Sequence, residues 1–212
     1  VSFNESAYES YGHSQSYNAP VSEAAAFQYG TALNHLLRSE SGRCIRIGDA
    51  TTVFWTESPS PAEELFGFIA NPGKVASEDD AKKDALRTLL KRTTSGENVS
   101  DLGIGDDDTP FYVLGLSPNA ARLSVRFWYV STLKDLVSAI RQHFTDLDIV
   151  RSDRDSEFPA VWQLLSETVR ESKDIPPLLS GAVMRAVLTG AAYPQMLFAA
   201  VIRRIRADRE IR

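Results

Sequence analysis

The chain carries a single cysteine, Cys44, among 212 residues. One thiol closes no intramolecular disulfide and builds no cysteine–zinc cluster. It sits in the apolar strand pattern Cys44-Ile45-Arg46-Ile47, so a buried structural thiol is expected rather than a nucleophile. A reducing cytoplasm suits it. No apolar run approaches the roughly 20 residues that span a bilayer, and no secretory signal is visible. No membrane partner is expected. Histidine is scarce: His13, His35 and His143, none of them a ligand pair at helical spacing. His35 and His143 fall on amphipathic helices, where boundary positions are expected. There is no Gly-x-Ser-x-Gly elbow and no Gly-x-x-x-x-Gly-Lys phosphate loop. Positive charge is also short. The net charge is −5, which argues against a general nucleic-acid coat protein.

What remains for catalysis is carboxylate chemistry. Asp49 and Glu57 flank one strand, and Asp106-Asp107-Asp108 form a run. Two or more carboxylates can hold a hard divalent ion for nuclease chemistry. Solvated acids at turns explain the same residues, and the run lacks the alternating spacing of a calcium loop. No catalytic set, metal or cofactor is expected.

The charge is unevenly spread. Residues 1–110 hold nine Lys/Arg against seventeen Asp/Glu, whereas residues 111–212 hold fourteen against eleven. A polyanion surface should therefore lie in the second half; ordinary surface asymmetry is the plainer reading.

The pattern along the chain predicts an α+β fold: an antiparallel sheet built partly from hairpins, flanked by helices, with a helical C-terminal part. Residues 1–150 form the α+β domain and 151–212 the helical segment. Val1-Ser2-Phe3-Asn4 reads as a strand cut from a longer protein. Ser22 caps a helix whose Ala26, Tyr29, Leu33, Leu36 and Leu37 share a face. Gly48-Asp49 turns a hairpin. Ser60-Pro61-Ala62-Glu63 is a capping box with proline at the first helical position, and Asn71-Pro72-Gly73 ends that helix. Another starts at Ser77, with acids in its first turn. Residues 93–110 read as a long irregular loop. Phe111–Leu116 and Leu123–Val130 form a second hairpin about Ser117-Pro118-Asn119-Ala120. Leu123, Val125 and Phe127 alternate along it with Ser124, Arg126 and Trp128. Helices follow from Thr132 and over 159–171, 177–189 and 194–210.

Two groups could bind. The loop 10–20 has no core pattern, and its Tyr11, Gln15 and Asn18 offer hydrogen bonds and a stacking ring. In the second hairpin Arg122 and Arg126, four apart beside Asn119, fall on one strand face and could grip phosphates. Ion pairs with the acids of residues 1–110 would explain them equally. The final helix adds Arg203, Arg204, Arg206, Arg209 and Arg212, where cations also suit the helix dipole.

Seven blocks carry a resemblance: VSFN at 1–4, SYG at 10–12, NAPVSEAAAFQYGTALNHLL at 18–37, RIGDATTVFW at 46–55, FYVLGLSPNAARLSVRFW at 111–128, LLSGAVMRAVLTGAAYP at 178–194 and RIRAD at 204–208. In this order they resemble the large-subunit family of the type I-C CRISPR Cascade complex, and NAPVSE and LSPNAARLSVRFW are the most specific. The resemblance implies a longer, non-catalytic protein of a ribonucleoprotein carrying a CRISPR guide RNA. Its implied partners are the handle-binding and backbone subunits, double-stranded target DNA beside its protospacer-adjacent motif, and a separate helicase–nuclease. A purely structural scaffold and a metal-dependent nuclease are the alternatives.

Overall fold

The computed structural model of the chain describes residues 21–71, 80–119, 122–150, 152 and 155–208, the side chains of 80–83, 122 and 208 excepted. The opening strand, the loop 10–20 and the helix start at Ser77 lie outside them. Helix α1 spans Glu23–Leu36, and Ser22 Oγ accepts from the Ala25 amide at 3.1 Å, as its cap chemistry predicts. No residue of α1 is buried.

Strands β1 (Cys44–Ile47) and β2 (Ala50–Thr56) follow. Between them Gly48 adopts φ +60°, a conformation cheap only for glycine. Helix α2 covers Pro61–Ala70, and Ser60 Oγ accepts from the Ala62 amide at 3.1 Å. The predicted capping box is only half formed. Glu63 turns inward, where its Oε1 accepts from the amide and hydroxyl of Thr56 at 2.9 and 2.8 Å. Its Oε2 pairs with Arg43 Nε at 2.7 Å. A buried carboxylate needs this many donors to offset its lost hydration.

Helices α3 (Asp80–Thr94) and α4 (Val99–Leu102) come next. The expected irregular loop at 93–110 thus contains a helical turn. Val99, Leu102 and Ile104 are buried, an apolar set too short to show a period. Arg141 donates to the carbonyls of Thr93 and Glu97 at 3.1 and 3.0 Å. Arg92 grips Glu97 through Nε at 2.9 Å and Nη2 at 2.6 Å, and that pairing raises the guanidinium pKa.

Strands β3 (Pro110–Asn119) and β4 (Arg122–Thr132) complete a four-stranded antiparallel sheet in the order β1-β2-β3-β4. They remain paired as far as Asn119 opposite Arg122, so Ser117 and Pro118 belong to the ladder rather than to the predicted turn. Helix α5 (Leu133–Asp146) is capped by Thr132, whose Oγ1 accepts from the Asp135 amide at 3.2 Å. Helices α6 (Val161–Ser166), α7 (Pro177–Thr189) and α8 (Gln195–Asp208) end the fold. The first is much shorter than the predicted 159–171.

One face of the sheet is covered. By register it presents Ile45, Thr52, Phe54, Phe111 and Val113, all buried, against α2, α5 and α7. Leu65, Phe66, Leu136, Ile140, Leu179 and Val183 fill the space between. Each such side chain contributes roughly 1.5–3 kcal/mol on burial. Residues on both sides of position 150 share this core. His143 is only 3 % exposed, a core residue rather than the boundary residue expected. Burial lowers its pKa to about 4, against a weaker upward pull from Asp146. Its Nδ1 meets the Tyr193 hydroxyl at 2.6 Å, and burial holds that hydroxyl protonated, its pKa pushed up to about 12. Among the described residues no helix is long and apolar enough to cross a membrane.

Candidate nucleic-acid interface

The second hairpin contains a β-bulge. Gly115 pairs with Phe127 and Leu116 with Val125, which leaves Arg126 as the extra residue of β4. A bulge of this kind resets the alternation of side chains. Phe127 therefore packs against the core, while Leu123 and Val125 join Trp128 and Val130 on the opposite face. The predicted alternation of Leu123, Val125 and Phe127 fails at this point. Gly115 is what admits the Phe127 ring: a Cβ there would lie 2.5 Å from two ring carbons.

The bulge aims Arg126 back across the hairpin. Its Nη2 lies 2.9 Å from Asp49 Oδ2 and 3.4 Å from Ser117 Oγ. Ser117 Oγ donates to the same carboxylate oxygen at 2.9 Å. Asp49, one of the carboxylates considered for metal binding, thus tethers the β1–β2 turn to β3 and β4. Both ends of the ion pair are partly exposed, 41 % for Arg126 and 28 % for Asp49, so the pair holds the hairpin while remaining open to competition.

Beyond Arg126, β4 and α7 line a groove of about 600 Å³. Arg126 and Trp128 lie on one wall and Arg185 on the other, with Leu178, Gly181 and Ala182 beside it. Among the described residues no acid lines it. Small residues at 181 and 182 let the helix run close to the strand. At the far end the Tyr129 hydroxyl donates to the Leu188 carbonyl and ties the two walls together; burial raises the pKa of that phenol. Two guanidiniums and an exposed indole along one trough can pair with phosphate oxygens and stack on a base.

Asn119 is exposed at the end of β3, with Arg122 opposite it in the ladder. Tyr11, Gln15 and Asn18 lie outside the described residues, as does the side chain of Arg122. Trp128 and Arg185 were not foreseen. Arg185 is the one charged residue in the α7 sequence PLLSGAVMRAVLT, and a lone charge in an apolar helix marks its solvent side. Glu57 and Asp106 to Asp108 are exposed. Asp107 closes the lead-in to α5, its carbonyl accepting from the Lys134 amide at 3.1 Å. No group of three or more His, Cys, Asp or Glu side chains that could hold a metal ion occurs among the described residues. Cys44 is half-buried rather than buried.

Residues 1–212 match the family described as CRISPR-associated protein (Cas_Csd1). The chain belongs to that family. No curated protein matches it. Family membership agrees with the resemblance carried by the sequence blocks, and it makes this a CRISPR-associated protein.

Proposed function

We propose that this chain is part of a non-catalytic large subunit of an RNA-guided CRISPR interference complex, and that it contributes backbone contacts to target DNA through the groove between β4 and α7. The supporting observation is the groove itself: Arg126, Arg185 and Trp128 share it and no acid among the described residues lines it, in a chain whose net charge is −5. Phosphate contacts position a protein on a duplex without reading its sequence. Such a role suits a complex in which guide pairing reads the target and protein supports the engaged shape. Assembly with the guide RNA and its handle-binding and backbone subunits, and recruitment of a separate helicase–nuclease, complete the reading. A cytoplasmic site of action goes with it.

The test uses the full-length subunit reconstituted with its guide complex and carrying Arg126→Ala and Arg185→Ala. Assembly is checked by size, and target duplex is titrated at two salt concentrations. Loss of two phosphate contacts should lower affinity and reduce the slope of log K against log salt by about 1.8. Intact assembly with unchanged affinity and slope would remove the groove from the DNA.

A further inference from the structure

The face of the sheet turned away from the helices is unusual for a protein surface. Its membership follows from the strand register. Arg46, Thr51, Leu116 and Val125 form one row, Val53, Leu114 and Trp128 the next, and Trp55, Tyr112 and Val130 a third. Val125 is 62 % exposed, Trp128 53 % and Val130 51 %. Val53 and Leu116, in the middle of the face, are buried, so the exposed apolar strip runs along β4 from Leu123 through Val125 and Trp128 to Val130, and a strip of this kind marks a binding site. Trp55 stacks on Tyr112 with ring centroids 5.2 Å apart and planes 13° from parallel. Trp128 lies tilted beside both, at 5.7 and 6.2 Å. Trp55 and Tyr112 are half-buried by each other, which leaves the Trp128 indole as the most open ring of the three.

Among the described residues, charge on this face has one sign. Arg46 is the single charged residue that the register places there. Its Nε donates to the Gly48 carbonyl at 3.2 Å, which fixes the guanidinium at the rim. Trp128 also lines the groove that holds Arg185, so the aromatic face lies between two cations. Open rings flanked by cations suit a polyanion with exposed π-faces, that is, a nucleic acid with unpaired bases. Four antiparallel strands with aromatic rings on the open face are a known platform for such bases. The rows contain few hydroxyls that could read a ribose 2′-OH, and their valines suit the thymine methyl.

We propose that this face binds single-stranded DNA, with a base stacked on Trp128 and phosphates held by Arg46 on one side and Arg185 on the other. The inference rests on the nucleic-acid reading of the adjoining groove, and it names the ligand of this face as unpaired DNA, continuous with the duplex that the groove engages.

Anisotropy titration of the full-length subunit with a labelled oligothymidylate tests it, using Trp128→Leu and Trp128→Phe. Leucine keeps apolar area and loses the π-face; phenylalanine keeps both. Trp128→Leu should weaken binding by about 5- to 150-fold, the range for one stacked base, and Trp128→Phe should stay within about threefold of wild type. Circular dichroism and the thermal midpoint confirm that both variants fold. Equal binding by the leucine variant and wild type overturns the proposal, as does absence of strand binding by the wild type. Tighter binding of oligouridylate than oligothymidylate overturns the choice of DNA. Unchanged strand binding with lost assembly of the leucine variant makes the face a protein contact and also overturns it. Failure of the groove reading shows elsewhere, in duplex binding that ignores Arg185→Ala.

Discussion

Asp49 occupies the position where a phosphate would have to compete for Arg126, so its removal should strengthen DNA binding. The carboxylate accepts from Ser117 and pairs with Arg126 at 2.9 Å. A phosphate bound to Arg126 would lie within several ångströms of it. At 4 Å in high dielectric that repulsion is about 1 kcal/mol, equivalent to about fivefold in affinity. The structural loss is small, because exposed ion pairs contribute about 0–1 kcal/mol and the core does not depend on this one. Asp49→Ala in the assembled full-length complex should therefore bind target duplex about fivefold more tightly at low salt. The slope of log K against log salt should stay the same, because Arg126 engages one phosphate in both proteins. The Asp49→Ala, Arg126→Ala double variant should lose that gain. Equal affinities for wild type and Asp49→Ala would refute the reasoning and leave Arg126 as a hairpin tether. The same titrations, run with divalent metals and followed on gels, test the nuclease alternative: metal-dependent cleavage that disappears in Asp49→Ala would revive it.

Two further predictions concern the scaffold behind the site. Replacing Glu63 with alanine strands Arg43 and the Thr56 amide, while the Thr56 hydroxyl keeps the Ser58 carbonyl, and should cost about 3 kcal/mol in denaturant unfolding, the range for breaking a buried pair. Glu63→Gln, which keeps an acceptor for Thr56, should cost less, and a loss below about 1 kcal/mol for alanine would contradict the network. His143 has a folded pKa of about 4 against an unfolded value near 6.5, so the unfolded chain binds the proton first. Stability from the neutral ring is complete above about pH 6.5, falls as pH drops toward 4 and is level below that. Between pH 7 and 5 it should decline by about 2 kcal/mol. His143→Phe should lack this component of the pH dependence; an unchanged profile would mean that the ring is not held neutral.

Local chemistry made much of the fold legible. Caps at Ser22, Ser60 and Thr132 act as their side chains allow, each accepting from an amide of the first helical turn. The Gly48-Asp49 turn placed the first hairpin, and the two strand runs either side of Ser117 to Ala120 placed the second. The errors share a cause: they depend on contacts distant in sequence. Glu63 looks like a capping residue until Arg43 and Thr56 come within reach. The 93–110 stretch looks unstructured until Arg141, on another helix, meets its carbonyls. The bulge at Arg126 depends on Phe127 needing the space beside Gly115. The site was legible only in part for the same reason. Arg126 stood out by charge, whereas Arg185 becomes relevant only when α7 packs along β4.

That bulge links the fold to the proposed binding surface. Without the extra residue, strict alternation would place Trp128 on the helix-covered face together with Ser124 and Arg126, and Phe127 would face solvent with Leu123 and Val125. With it, Phe127 fills the core and the indole stands at the corner between the open face and the groove. The side chains that hold the sheet together are therefore largely separate from those offered for binding. Substitutions at Trp128, Arg185 or Arg46 should change binding with little change in unfolding, and substitutions at Phe127 or Gly115 should do the reverse. Overpacking Gly115 with alanine would force a methyl against the Phe127 ring, at about 1–3 kcal/mol. It would also shift the bulge that positions Trp128. Gly115→Ala is thus the one change expected to couple the two, lowering stability and oligothymidylate affinity together.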